Sequence, residues 1–190
     1  MADDSIVLDS LARRMRAMHS LWEQAVATMG PAQVNYVERE GVLPIAFSLF
    51  HFVNIEDSSA SGLGAGPVIF DGAWASRVAL GVADHGKERT VSDMMAQRIG
   101  DYEAFVEYMT EVFAKTERWL GGLDPARLAD VVVRRPFPPG IASTYSARVA
   151  GAEGITRLDA TECWIYQHGL RHMGEVEHAR SLVGLGGMTS

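Results

Sequence analysis

With 190 residues, 47% of them apolar and 22% charged, the chain is large enough to bury one substantial core and has the make-up of an ordinary globular sequence. Seventeen Lys and Arg against 24 Asp and Glu leave a formal charge of -7 with no basic run, which argues against a nucleic-acid partner, since phosphate binding needs concentrated positive charge. The acidic start MADDSIVLDS lacks the basic and apolar regions of an export signal, and the apolar stretch GVLPIAFSLFHFVNI falls short of the about 20 residues a bilayer span needs.

Cys163 is the only cysteine, so no intrachain disulfide can form, and a reducing, cytoplasmic setting is expected. No Cys/His/Asn signature surrounds it, and the expectation for Cys163 is a buried small residue rather than a nucleophile. A single domain over residues 1–190 follows from the length.

In chain order, residues 5 to 29 carry Ile6, Leu8, Leu11, Met15, Met18, Leu21, Trp22, Ala25 and Met29 on a helical stripe that Gly30-Pro31 ends. The segment 32 to 41 is polar. Pro44 lies near a fresh start, and Leu43, Phe47, Phe50, His51 and Ile55 recur on one side, predicting a second helix over 43 to 59 that DSSASGLGAGP breaks. Residues 60 to 90 read as two loops around a short helix at DGAWASRVAL.

Thr90 and Asp93 have the N-cap to N3 offset, and the amphipathic run after them predicts a third long helix continuing to Leu120 before Gly121-Gly122. The stretch 123 to 158, with RRPFPPG, is expected to be irregular apart from a short strand at ADVVVR. Asp159 and Glu162 repeat the capping offset, and a final helix is expected from there to Leu182 or Val183 before GLGG. Four substantial helices with long cross-connections and little strand alternation imply an all-α four-helix bundle.

At 100° per residue, Trp164, His168, His172, Glu175 and Ala179 fall on one stripe of that last helix, with apolar neighbours that turn the histidines inward. Histidines at i and i+4 can both reach one ion at about 2.0–2.1 Å, and a third imidazole from another helix would leave positions open for water or substrate. His51, on the apolar side of the second helix between Phe47 and Ile55, is the natural third donor. The competing reading has all three as core histidines satisfied by carbonyls or water.

Glu175 is read as a fourth ligand, as an acceptor that orients an imidazole, or as a surface partner of Arg171. Glu56 and Asp57 could take a proton, although solvent-facing roles are expected for both. His19, His85 and His178 are left outside the site, and Arg134, Arg135 and Arg148 of the long connection could meet an anionic substrate or be ordinary exposed loop residues, the commoner case. His168-Gly169-Leu170-Arg171-His172 lacks the Glu of HExxH, the single Glu-x-x-His at 175–178 has no second copy for a di-iron site, and GLGAG at 62–66 follows a helix rather than a strand.

The C-terminal HGLRHMGEVEHARSLVGLGG closely resembles the last helix of the DinB/YfiT-like superfamily, and FSLFHFVNIED resembles its second helix, where a single histidine supplies the remaining ligand. The two motifs cover about 30 residues, while helix order and length agree along nearly the whole chain. The resemblance implies an up-down-down-up bundle in which His51, His168 and His172 coordinate one divalent metal, zinc or nickel first and iron next. It also implies pairing as a homodimer through helix faces, and, in some relatives, transferase or isomerase activity with a low-molecular-weight thiol on a small-molecule substrate. The connection over 60 to 90 is longer than the family's, and the 134 to 140 segment is richer in proline. A non-catalytic, metal-stabilised ligand-binding or dimeric bundle protein is the alternative.

Overall fold

The computed structural model describes residues 2–86 and 88–188, and most of them are helical. Helix α1 spans Ala2–Ala27, and Leu8, Leu11, Met15, Met18, Trp22 and Ala25 recur along it every three or four residues, all buried. Gly30 precedes α2 (Pro31–Val34), where Pro31 fits the first turn because that position has no helical N–H partner to lose.

Helix α3 (Ile45–Gly62) is of another kind. Ile45 through Phe50 are six consecutive buried residues, so the helix begins enclosed on every side rather than along a stripe. After it, Gly64 and Gly66 take left-handed backbone (φ +104° and +101°), and α4 (Gly72–Val78) starts at Asp71, whose carboxylate accepts the Ala73 and Trp74 N–H groups at 2.9 Å.

The long helix expected from Thr90 to Leu120 is instead two helices, α5 (Val91–Met94) and α6 (Tyr102–Gly121). Thr90 and Asp93 do form a capping box, but it serves one turn only. Side-chain amides then take over the backbone: Gln97 bonds both the N–H and the carbonyl of Val82 (2.9 and 2.8 Å), and Asn35 bonds both those of Ile99 (2.9 and 2.9 Å). Gly100 lies so close to Ala79 that a Cβ would meet its carbonyl oxygen at 2.8 Å. Asp101 caps the new helix through the Ala104 N–H at 2.9 Å.

Beyond α6 a 3₁₀ turn (Pro125–Ala129) leads to β1 (Val131–Arg134), the expected strand, which pairs antiparallel with an unexpected β2 (Gly154–Thr156). Two short helices, α7 (Pro139–Ala142) and α8 (Tyr145–Val149), lie between them, so the segment is less irregular than its prolines suggest. The last helical stretch begins at Thr156, not Asp159: Thr156 is the cap and Asp159 its N3 partner, with reciprocal bonds at 2.9 and 3.1 Å. It runs as α9 (Arg157–Ala160), a π-helical segment (Thr161–Tyr166) and α10 (Gln167–Leu182).

Helices α1, α3, α6 and α10 meet around one hydrophobic cluster, in which Trp22 stacks on Phe52 with ring centroids 4.5 Å apart. Among the described residues, no helix is long and apolar enough to cross a membrane.

Two acids enter this interior, against expectation: Glu56 and Asp57 are 0% exposed. Asp57 accepts the backbone N–H groups of Ile69 and Phe70 (3.0 and 2.9 Å) and the Tyr108 hydroxyl (3.2 Å), and it ion-pairs with Lys115. Glu56 faces His19 Nε2 at 3.1 Å, while His19 Nδ1 faces Glu117 at 2.7 Å. Burial acts to lower the His19 pKa, but Glu56 and then Glu117 outweigh it, so the imidazole is held protonated above its ordinary range and donates to both. The turn after Gly62 and helix α6 cover a flank of α3 that the sequence alone leaves open.

Replacing Lys115 by Met would leave the Asp57 carboxylate buried without its counter-charge. Loss of one partner of such a pair costs about 3–5 kcal/mol, to be read from urea unfolding followed by circular dichroism. The double variant Asp57→Asn/Lys115→Met should recover part of that loss, and a change below about 1 kcal/mol in the single variant would mean the pair is solvated.

Candidate metal centre

Helix α10 reaches α3 at a position without a side chain. A Cβ on Gly169 would run into the Met18 sulfur of α1 and would meet the Phe52 ring of α3 at 2.8 Å, so a larger residue there forces those side chains to move. The residues beside it are thereby brought over His51. The His51 ring centroid lies 5.2 Å from that of His168 and 4.8 Å from that of His172, and the latter two are 4.5 Å apart. One ring nitrogen from each lies within 4.8 Å of the others, and the His168 and His172 Nε2 atoms are 3.0 Å apart. Nitrogens bound to one tetrahedral ion at about 2.0–2.1 Å would be about 3.3 Å apart, so the α10 pair already has nearly that spacing.

Two of the three rings have their tautomer dictated from outside. His51 Nδ1 bonds the His85 carbonyl, which can only accept, so the proton is on Nδ1 and the Nε2 lone pair is free. His172 Nδ1 lies 2.6 Å from Glu175 Oε2. The bond to His172 is the largest influence keeping the Glu175 carboxyl below its usual pKa, so the carboxylate accepts from Nδ1–H and leaves His172 Nε2 facing His168. Ser48 donates to the same Glu175 oxygen at 3.1 Å. His168 has no such partner: its Nδ1 is buried without one among the described residues, and its Nε2 faces His172.

Burial, followed by the neighbouring His172, keeps His51 and His168 neutral. Desolvation lowers the His51 pKa to about 4 despite the His85 carbonyl, and takes His168 to about 2. Imidazole nitrogens are suitable donors for a divalent transition metal, and three of them leave positions open.

A cavity of about 470 Å³ reaches His51 and His168; its walls include Ile55, Ile141, Cys163, Trp164 and Arg171. The π-helical segment carries Cys163 and Trp164, and the Trp164 indole N–H donates to Ser146 Oγ at 3.0 Å, tying that wall to α8. The sequence reading assumed 100° per residue through this region, yet Trp164 and His168 still share one cavity. Cys163 is half-buried and lines the cavity rather than filling the core. Burial, then Asp159 and Glu162, push its thiol up to about 11, so it stays protonated near neutral pH.

Other residues weighed in the sequence fall elsewhere. Glu175 pairs with His172 rather than Arg171, whereas Glu56 and Asp57 belong to the separate networks on the far turns of α3. His19 is a buried core residue of those networks, and His85, set aside as a loop residue, supplies the carbonyl that orients His51. Arg135 bonds the carbonyls of Ala147, Ala150 and Gly151, Arg134 faces Glu153 at 3.9 Å, and neither they nor Arg148 line the cavity. Ser48 and the 139–146 wall went unnoticed in the sequence; only the S-L-F-H spacing, one turn between Ser48 and His51, hinted at the former.

No protein-family model matches the chain, and no curated protein matches it. Among solved structures it is similar to a conserved protein from Enterococcus faecalis, with a TM-score of 0.72 and 17% identity over 92% of this chain and 95% of that one. At that identity the likeness is one of fold.

Gly169→Ala should lower stability by about 1–3 kcal/mol through overpacking against Met18 and Phe52, measurable in a thermal melt. The same variant should move the ring resonances of His168 and His172 in NMR spectra. Unchanged ring resonances would show that the close approach does not govern the cluster.

Proposed function

We propose that His51, His168 and His172 bind one divalent metal ion, and that the chain is a DinB/YfiT-like four-helix bundle acting as a metal-dependent transferase or isomerase on a small molecule. The observation that carries this reading is the pair of outside bonds, from His51 to the His85 carbonyl and from His172 to Glu175, which turn two Nε2 lone pairs toward a point that His168 also faces. Core histidines satisfied for packing alone would not need His51 and His172 both to be held by Nδ1 with their Nε2 atoms on the His168 side. The pairwise packing of α1, α3, α6 and α10 supports the bundle.

Imidazole donors suit zinc, nickel, iron and copper alike, and the family resemblance puts zinc or nickel first and iron next. An ion held there would lower the pKa of a bound thiol or water and so supply an anionic nucleophile near neutral pH. The chain's own residues orient and enclose. Glu175 Oε2 holds the Nδ1 proton of His172, the His85 carbonyl holds that of His51, and Ile55, Ile141 and Trp164 limit water at the open side. Because the Cys163 thiol stays protonated, the nucleophile in this reading is external, a low-molecular-weight thiol or water. A reducing, cytoplasmic setting and pairing of two copies through helix faces belong to the same reading; light scattering of the purified protein tests the pairing.

Elemental analysis of protein purified without a nickel column should find about one equivalent of metal per chain, and His51→Ala and His168→Ala should each abolish it with the helical circular dichroism intact. Metal-free protein from that preparation, with no uptake of added zinc or nickel, overturns the reading.

Turnover of an epoxide or quinone should require both the metal and an added thiol, and should disappear in His51→Ala. Metal bound without turnover, together with a large fall in melting temperature on chelation, would favour the non-catalytic alternative, in which binding is part of the folding free energy.

A further inference from the structure

Two cavities with no lining residue in common reach the histidine cluster, and they differ in charge. The one of about 620 Å³ touches His172 and carries Glu38 and Glu175, with Arg39 already paired to Glu38 at 3.2 Å. The one of about 470 Å³ touches His51 and His168 and has no carboxylate in its lining. Its single formal charge is Arg171, which has no hydrogen bond or ion pair among the described residues and sits one helical turn from His168 on α10. In a chain of net charge -7, a cavity free of acids with an unpaired guanidinium at its edge is the place where an anion meets least repulsion.

Three of the remaining polar side chains of that wall bond one another, while the Ser59 and Tyr145 hydroxyls have no side-chain bond among the described residues. Trp164 Nε1 donates to Ser146 Oγ, Thr144 Oγ1 lies 2.9 Å from the same oxygen, and Thr144 donates to the Ile141 carbonyl at 2.7 Å. Ile55, Ile141 and the Trp164 ring therefore offer an apolar surface between the histidines and Arg171. The volume falls in the range of small-molecule sites, about 300–1,000 Å³.

We infer that this cavity, not the larger one, is the substrate site, and that its ligand is a small organic carboxylate. The apolar body lies against Ile55, Ile141 and Trp164, the carboxylate is held by the Arg171 guanidinium, and the other end points to His51 and His168. A guanidinium fork matches a carboxylate in a way no other group on this wall can. The inference deepens the reading of the histidines as a reaction centre, but the ligand class rests on the wall and Arg171 alone.

Phenylacetate is a suitable probe, with phenylacetamide as its uncharged counterpart, titrated into chelator-treated and zinc-loaded protein while the Trp164 indole N–H resonance is followed by NMR. Phenylacetate should shift that resonance in both samples. Arg171→Gln should weaken binding roughly tenfold, with Arg171→Lys retaining part of it, while phenylacetamide should bind weakly and be indifferent to either variant. Arg171 is exposed and unbonded, so both variants should keep the wild-type melting temperature.

Equal affinity for phenylacetate in Arg171→Gln, or shifts confined to Val42, Leu43 and Ala179 of the larger cavity, overturns the inference. Arg171-dependent binding in a protein that takes up no metal would sink the metal reading and leave this one standing. Metal uptake with Arg171-indifferent binding would do the reverse.

Discussion

The close approach of α10 to α1 and α3 at Gly169 is the contact on which the candidate centre depends. Met18 and Phe52 occupy the space that any larger residue would need. Dispersion between well-packed surfaces falls off within an ångström, so this geometry is held stiffly rather than by a soft average. Imidazoles on α10 can meet one on α3 only because the helices are this near. A histidine side chain is short, and one extra methyl between the helices would separate the rings.

Stiffness alone does not aim a lone pair. That is done by two hydrogen bonds: to the carbonyl of His85, in the loop after α4, and to the carboxylate of Glu175, one turn along α10, itself held by Ser48 of α3. Each fixes a ring nitrogen's proton and therefore the direction of the other nitrogen. The buried acids further along α3 follow the same principle. Asp57 is satisfied by backbone N–H groups, Tyr108 and Lys115, and one oxygen of Glu56 pairs with a protonated His19, so charges that would otherwise destabilise the interior bind α1, α3 and α6 to one another.

How far the sequence could be read depended on the range of the interaction involved. The stripe of α1 and the Pro44 start of α3 were visible because helix periodicity and proline geometry are local. So was the grouping of His168 and His172, which needs only the i, i+4 offset. The break between α5 and α6 was not, because it is enforced by Gln97 on Val82 and Asn35 on Ile99, bonds between segments that no window along the chain contains together. The cap of the last helix, Thr156, stands three residues before Asp159, and its Thr-x-x-Asp pattern is local and legible. Glu56 and Asp57 were misplaced for a tertiary reason, since amphipathicity cannot report that a loop and α6 will cover a helix flank.

By itself the sequence determined a mostly helical chain, a helix carrying two histidines one turn apart, and a second apolar helix carrying another, because those features follow from backbone periodicity and the burial of apolar surface. Only the tertiary structure decided that the three rings share a point, that two of them are held by Nδ1 from outside, and that the acid-free cavity opens beside Arg171. Those outcomes turn on distances of a few ångströms between side chains and carbonyls that packing brings together, where sequence spacing has no purchase.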